Sequence, residues 1–323
     1  MAATSRMQEF RLRLQPTIKE VKFTLTRIRK SPLSIIGAGL ITFFVVLAII
    51  APVIAPAINF QTGQPYESWP WWQIPRDGYT HIPTPPSPEH PLGTTEGQWD
   101  LYYGLIWGTR NAFRVGIYVV AAALTIGLLV GIVSGFFGGL IDEILMRFTD
   151  IVLAFPGLIL AMAFAVTLVP LGFPTLDAVL LALIIVGWPG YTRLIRGEIL
   201  RVKSEDYVEA ARAIGCSKIR IMFRHVLPNV IYPIIVVASL DIGSIVLTAA
   251  ALAFLGIGAP PDFADWGQII SRSRNWILGT TTDPFHFWYV YIIPGLFISF
   301  FVLGWSLLGD AFRDILDPTL RRR

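Results

Sequence analysis

Catalysis needs side chains that attack, carry protons or hold a metal, at spacings that bring them together. None of the lysines follows a glycine, so there is no Walker-type loop to cradle phosphates. The chain is not expected to hydrolyse ATP by itself. HExxH, CxxC and GxSxG runs do not occur. His81, His90, His225 and His286 lack the spacing of metal ligands and read as surface or interface residues, so no metal site is expected. The single cysteine, Cys216, excludes an intrachain disulfide. Asp241 is the polar signal that remains, because it interrupts an apolar run from about 230 to 257. An ionised carboxylate at mid-bilayer costs at least about 2.5 kcal/mol and normally faces a bundle interior or water. Asp241 therefore either lines a path through the bundle or makes a hydrogen bond between helices.

The elements that hold such a residue belong to a membrane protein. Of 323 residues, 54% are hydrophobic and 15% charged, against about a quarter charged in soluble domains. Residues 33–56 form a first span, long enough at about 20 residues per crossing. Further apolar runs lie at 115–141, 151–176 (with a kink at Pro156), 178–192, 230–257 and 284–309. The run at 178–192 is short and must protrude. The fold class is all-α with six transmembrane helices, the core being 115–309. Residues 1–32 form a basic N-terminal segment without a cleavable signal pattern, suited to lying on membrane lipid. Residues 57–114, rich in proline and tryptophan near their start, read as an extramembrane loop. Residues 310–323 form a basic tail. Nucleic-acid binding has no support, since no basic patch is interleaved with aromatics.

Charge placement orients these spans. With the N-terminus inside, the inner segments hold 21 Lys/Arg and the outer segments 5. The positive-inside rule then places both termini, and the stretch 203–228, in the cytoplasm.

That stretch, KSEDYVEAARAIGCSKIRIMFRHVLP, is the longest strongly charged segment between two apolar blocks. Ser204 is placed to cap a helix whose first turn carries Glu205 and Asp206. Tyr207, Ala211 and Ile214 share one face. Gly215 stands where a left-handed C-terminal residue is needed. Ser217 is placed to cap a second helix bearing a stripe of Ile219, Met222, Phe223 and Val226, and Pro228 limits its continuation.

Glu209-Ala210-Ala211, then Gly215, then Leu227-Pro228 resembles the EAA signature of ABC-importer membrane subunits. Lys30-Ser31-Pro32, His90-Pro91-Leu92-Gly93-Thr94, Ala253-Phe254-Leu255-Gly256, Trp266-Gly267, Leu308-Gly309-Asp310 and Leu316-Asp317-Pro318 extend the likeness over most of residues 30–320. The chain is similar to the second, HPLGT-type permease of the dipeptide/oligopeptide transporter family. The resemblance implies a multi-pass subunit in the plasma membrane of a prokaryote. It also implies a second homologous permease subunit, two cytoplasmic ATP-binding subunits that hold ATP and Mg²⁺, and an extracytoplasmic substrate-binding protein. No cofactor is implied for this chain. The resemblance assigns ATPase coupling to Tyr207, Glu209, Ala210, Ala211, Arg212, Gly215, Leu227 and Pro228. Glu209 and Arg212 also read as a solvated i, i+3 pair.

The chain departs from the family in its outer segment, where Trp99 and Gly104 replace arginines. Trp69, Trp71, Trp72 and Trp99 could contact cargo or the binding protein, and stacking on sugars would suit oligosaccharide cargo as an alternative to peptides. Trp266 and Trp276 fit an interfacial aromatic belt. A passive channel, or a scaffold that uses 203–228 to bind another cytoplasmic protein, is the reading from a different class.

Overall fold

The computed structural model describes residues 31–59, 63–66, 68–280 and 283–316. The basic segment 1–30 and the tail from 317 onward lie outside the described residues. The elements are α1 (Pro32–Ile54), β1 (Ile58–Asn59), β2 (Gln64–Pro65), α2 (Leu101–Phe137), α3 (Gly139–Leu153), α4 (Gly157–Leu168), α5 (Thr175–Lys203), α6 (Asp206–Ala213), α7 (Lys218–Ile221), α8 (Leu227–Phe254), α9 (Trp266–Arg272) and α10 (Tyr289–Leu316). The fold is all-α apart from the antiparallel β1–β2 pair.

Five of the described helices are long and apolar enough to cross a membrane, and α3 with α4 make a sixth if that bent pair is one span. That pair is bent by 88° around Pro156, where the pre-proline restriction stops one helix and the proline starts the next. Three boundaries differ from the sequence reading. Residues 142–150, between two apolar runs, already belong to α3. The segment 57–114 is not loop throughout, because α2 begins at Leu101. Asp100 caps it by accepting from the Tyr103 N–H at 2.6 Å, and no proline follows to break it. Likewise α10 runs on past residue 309 to Leu316.

The short run 178–192 lies inside the 29 residues of α5. Its charged extension stays helical because acidic residues of α3 receive it. Arg196 binds Asp142 through two bonds of 2.6 Å, and Arg193 reaches Asp150. At the bundle centre α2 meets α5 closely. Gly127, Gly131 and Gly135 face Tyr191, Ile195 and Ile199, and a Cβ at Gly131 would stand 2.9 Å from the Ile195 side chain. A second core joins α1, α2, α9 and α10 around Phe44, Trp266 and Phe301.

The proline-rich segment is folded. It pairs with the segment before α9 through Ile74 N–H to Asp262 O at 2.7 Å and Ala264 N–H to Trp72 O at 2.6 Å. It also pairs with the turn before α2, where Asp77 N–H donates to Gln98 O and Asp100 N–H to Pro75 O. Together these segments form a platform over the heads of α2, α9 and α10.

Candidate coupling element and transport path

At one end of the bundle, α5 is tied to α2 before it turns away. Lys203 Nζ donates to the carbonyls of Gly135 and Phe136 at 3.1 and 2.9 Å, satisfying groups that a helix C-terminus leaves open. Ser204 does not cap α6. Its hydroxyl bonds back to Arg201 O at 2.7 Å, closing α5. Glu205 takes the cap position in extended backbone, without a side-chain cap bond. Asp206 and Glu209 occupy the first turn, where the dipole favours them.

The turn after α6 follows a Schellman pattern. Cys216 N–H donates to Ala211 O and Gly215 N–H to Arg212 O, both at 3.1 Å, and Gly215 holds φ +81. Ser217 then caps α7 by accepting from Arg220 N–H. Pro228 does not end the second helix. Residues 222–226 widen into a π-helical turn, which makes room for the proline ring that an α-helix would set against the carbonyl four residues back. The helix therefore runs without interruption from Lys218 to Phe254, and the candidate second coupling helix is the foot of a span.

The buried face also differs from the pattern reading. Val208, Ala211, Ile221 and Val226 are buried against Ile195, Ile199, Val202 and Val230. Tyr207, Ile214, Ile219 and Phe223 are 43%, 80%, 68% and 57% exposed. Of the two face assignments, Ala211 and Val226 point inward, Met222 packs half-buried against the same core, and Tyr207, Ile214, Ile219 and Phe223 point outward. Glu209, Ala210, Arg212 and Pro228 are exposed and Leu227 is half-buried. Glu209 and Arg212 form no ion pair with each other among the described residues.

Asp241 lies half-buried on α8. The Tyr191 hydroxyl of α5 faces its carboxylate, but no hydrogen bond of normal geometry closes between them. One helical turn on, at Ile245, begins a cleft of about 410 Å³ between α4, α5 and α8, lined also by Leu158, Leu183, Val186 and Thr248. Its lining is small and apolar residues drawn from three separate helices, a signal that periodicity within one helix cannot carry.

On the platform, most tryptophans are packing residues. Trp69 donates to Gln73 O at 2.6 Å and stacks on Tyr66. Trp71 stacks on Trp107, while Trp72 covers Phe263 and stays 36% exposed. The Trp99 ring takes the guanidinium groups of both Arg76 and Arg272, at 5.1 and 4.6 Å. Burial pushes Arg272 down to about 10. Trp276 donates to Glu96 at 2.9 Å. Trp266 is not an interfacial belt residue: it is 2% exposed and donates to Leu105 O. Spacing arguments on the histidines miss His90, which is buried with ring contacts to Asp77 and Asp100. Among the described residues no group of three or more His, Cys, Asp or Glu could hold a metal ion.

Residues 127–322 match the family described as binding-protein-dependent transport system inner membrane component. Residues 23–67 match the N-terminal TM domain of oligopeptide transport permease C. A dipeptide transport system permease protein of Alkalihalophilus pseudofirmus is 35% identical over 91% of this chain and 88% of the relative. A probable D,D-dipeptide transport system permease protein of Escherichia coli is 42% identical over 72% of this chain and 75% of the relative. An oligopeptide transport system permease protein of Bacillus subtilis is 31% identical over 93% and 90%. In fold, a chain of the inward-facing MetNI methionine ABC transporter aligns with a TM-score of 0.53 at 18% identity, covering 66% of this chain and 96% of that one.

Proposed function

This chain belongs to the binding-protein-dependent transport system inner membrane components, and from that premise we propose that it forms half of the pathway of an ATP-driven importer of di- and oligopeptides. It would sit in a prokaryotic plasma membrane with both termini in the cytoplasm. A second permease subunit completes the pathway, two ATP-binding subunits hold ATP and Mg²⁺, and an extracytoplasmic binding protein delivers cargo.

The observation that carries this reading is the inner element. Its apolar residues Tyr207, Ile214, Ile219 and Phe223 point away from the chain's own core, although the charged turns around them mark this end as lying in water. An exposed apolar set rimmed by charge is the mark of a protein partner. Because α7 continues into α8 without a break, displacement of the element moves a spanning helix directly. Lys203 ties the same element to the foot of α2. Closure of the ATP-binding subunits would thus be transmitted to two of the long spanning helices without any chemistry in this chain.

Peptide cargo is supported by the relatives and by the platform tryptophans, most of which are engaged in packing rather than presented as a stacking surface. The test is ATPase activity of the assembled complex in proteoliposomes, with binding protein loaded with peptides or with oligosaccharides. Stimulation by the peptide-loaded form alone is expected. Stimulation by the sugar-loaded form would overturn the cargo assignment, and ion conduction without ATP would overturn the importer.

A further inference from the structure

We infer that His90 is an imidazolium strap that positions the outer platform, joining Asp77 of the proline-rich segment to Asp100 at the head of α2, so that docking of the extracytoplasmic partner depends on external pH. The ring is buried, its side chain 5% exposed. Nδ1 lies 2.7 Å from Asp100 Oδ2 and Nε2 lies 3.3 Å from Asp77 Oδ2. A neutral imidazole donates from one nitrogen and presents a lone pair at the other. With a carboxylate oxygen at each nitrogen, the neutral ring would set a lone pair against an acceptor. Only the protonated ring donates to both.

The two aspartates have other duties, which is why the strap positions rather than decorates. Asp100 also caps α2 through Tyr103 N–H. Asp77 belongs to the strand-like pairing with Gln98. His90 itself opens the tight segment leading to α2. Its carbonyl accepts from Ser87 and Gly93. Gly93, at φ +83, fits beneath Thr84 O only for want of a side chain, since a Cβ would stand 2.6 Å from that oxygen. The bond to Asp100 outweighs the burial that opposes charge, and His90 is held above the ordinary histidine value, with Asp77 adding in the same direction. Among the described residues, the charged groups shown acting on the ring are Asp100 and Asp77.

The sign follows from linkage. A raised folded value means that the strap contributes fully below the ordinary value near 6.5 and is lost as pH rises through the raised one. Alkaline external solution should loosen the platform. The strap stands on this geometry alone, while its effect on docking rests on the importer reading above.

The experiment is hydrogen exchange of the assembled complex from about pH 6 to about pH 9, corrected for intrinsic exchange, a range that brackets histidine titration. The segment 75–103 should lose protection several-fold as pH rises. His90→Gln should show low protection that no longer changes with pH. Asp77→Asn, which leaves the α2 cap intact, should move the step to lower pH. Protection that is flat with pH in the unaltered protein, or the same step in His90→Gln, would overturn the strap. Binding-protein-stimulated ATPase, read on the same complex, should fall over the same pH range while basal ATPase persists. Stimulation unchanged across the step would overturn the link to docking. No stimulation at any pH, with the exchange step present, would count against the importer reading and leave the strap supported.

Discussion

Gly215 owes its place to a backbone angle and not to crowding. It sits at φ +81, and nothing lies within 4 Å of the point where a Cβ would stand. The penalty for a side chain is therefore conformational, about 1–2 kcal/mol for an ordinary residue in the left-handed region. Gly215→Ala should loosen the two bonds to Ala211 and Arg212 and reduce recovery of the ATP-binding subunits when the complex is purified through this chain. Gly215→Asn, which tolerates that region better, should recover most of it. Equal recovery in both would show that the turn is not what holds the element. Gly215 is legible in the sequence because one glycine between two polar helices has few structural reasons. Asp241 is legible as a problem, not as a solution, since the hydroxyl that faces it, Tyr191, lies on another span. Asp241→Asn should slow uptake while the complex still assembles and hydrolyses ATP. Unchanged uptake would make the residue an inter-helix contact only.

At the scale of the element, an apolar stripe says that a face is buried but not by what. Periodicity groups Ile219, Met222, Phe223 and Val226 as one stripe, whereas Val226 packs inward and Ile219 and Phe223 point outward. In a subunit of a larger assembly the two surfaces sit side by side on one helix. The element boundaries escape hydropathy for related reasons. Pro228 is tolerated because a π-helical turn precedes it, and α2 begins early because Asp100 caps it; neither depends on hydropathy. Ile219→Asp with Phe223→Asp places two charges on the outward face without touching the core. The chain should still insert in the membrane, as read by its abundance there, and should lose the ATP-binding subunits on purification. Retained subunits would mean that this face docks nothing. Val226→Asp, by contrast, buries a charge and should lower the abundance of the chain itself.

Over the whole molecule, the inner element and the outer platform are joined by helices that are longer than a bilayer requires. α2 has 37 residues, about 55 Å at 1.5 Å per residue, against a hydrocarbon core of about 30 Å. The spans are legible because hydropathy acts over whole segments. The platform is not, because its order comes from pairings between segments far apart, such as Ile74 with Asp262. Trp99 is the clearest case. Its ring is contacted by both Arg76 and Arg272, joining the proline-rich segment to α9, and each cation–π contact is worth about 0.5–2 kcal/mol. Trp99→Ala removes both contacts and leaves the two guanidinium groups without the ring they share, while Trp99→Phe keeps an aromatic face for them. The alanine variant should lose most stimulation by the binding protein and keep its basal ATPase and its ATP-binding subunits, since the coupling element lies at the opposite end. The phenylalanine variant should keep most of the stimulation. If the alanine variant instead shed the ATP-binding subunits, the platform and the coupling element would not be separable units, and the platform could not be assigned to docking alone.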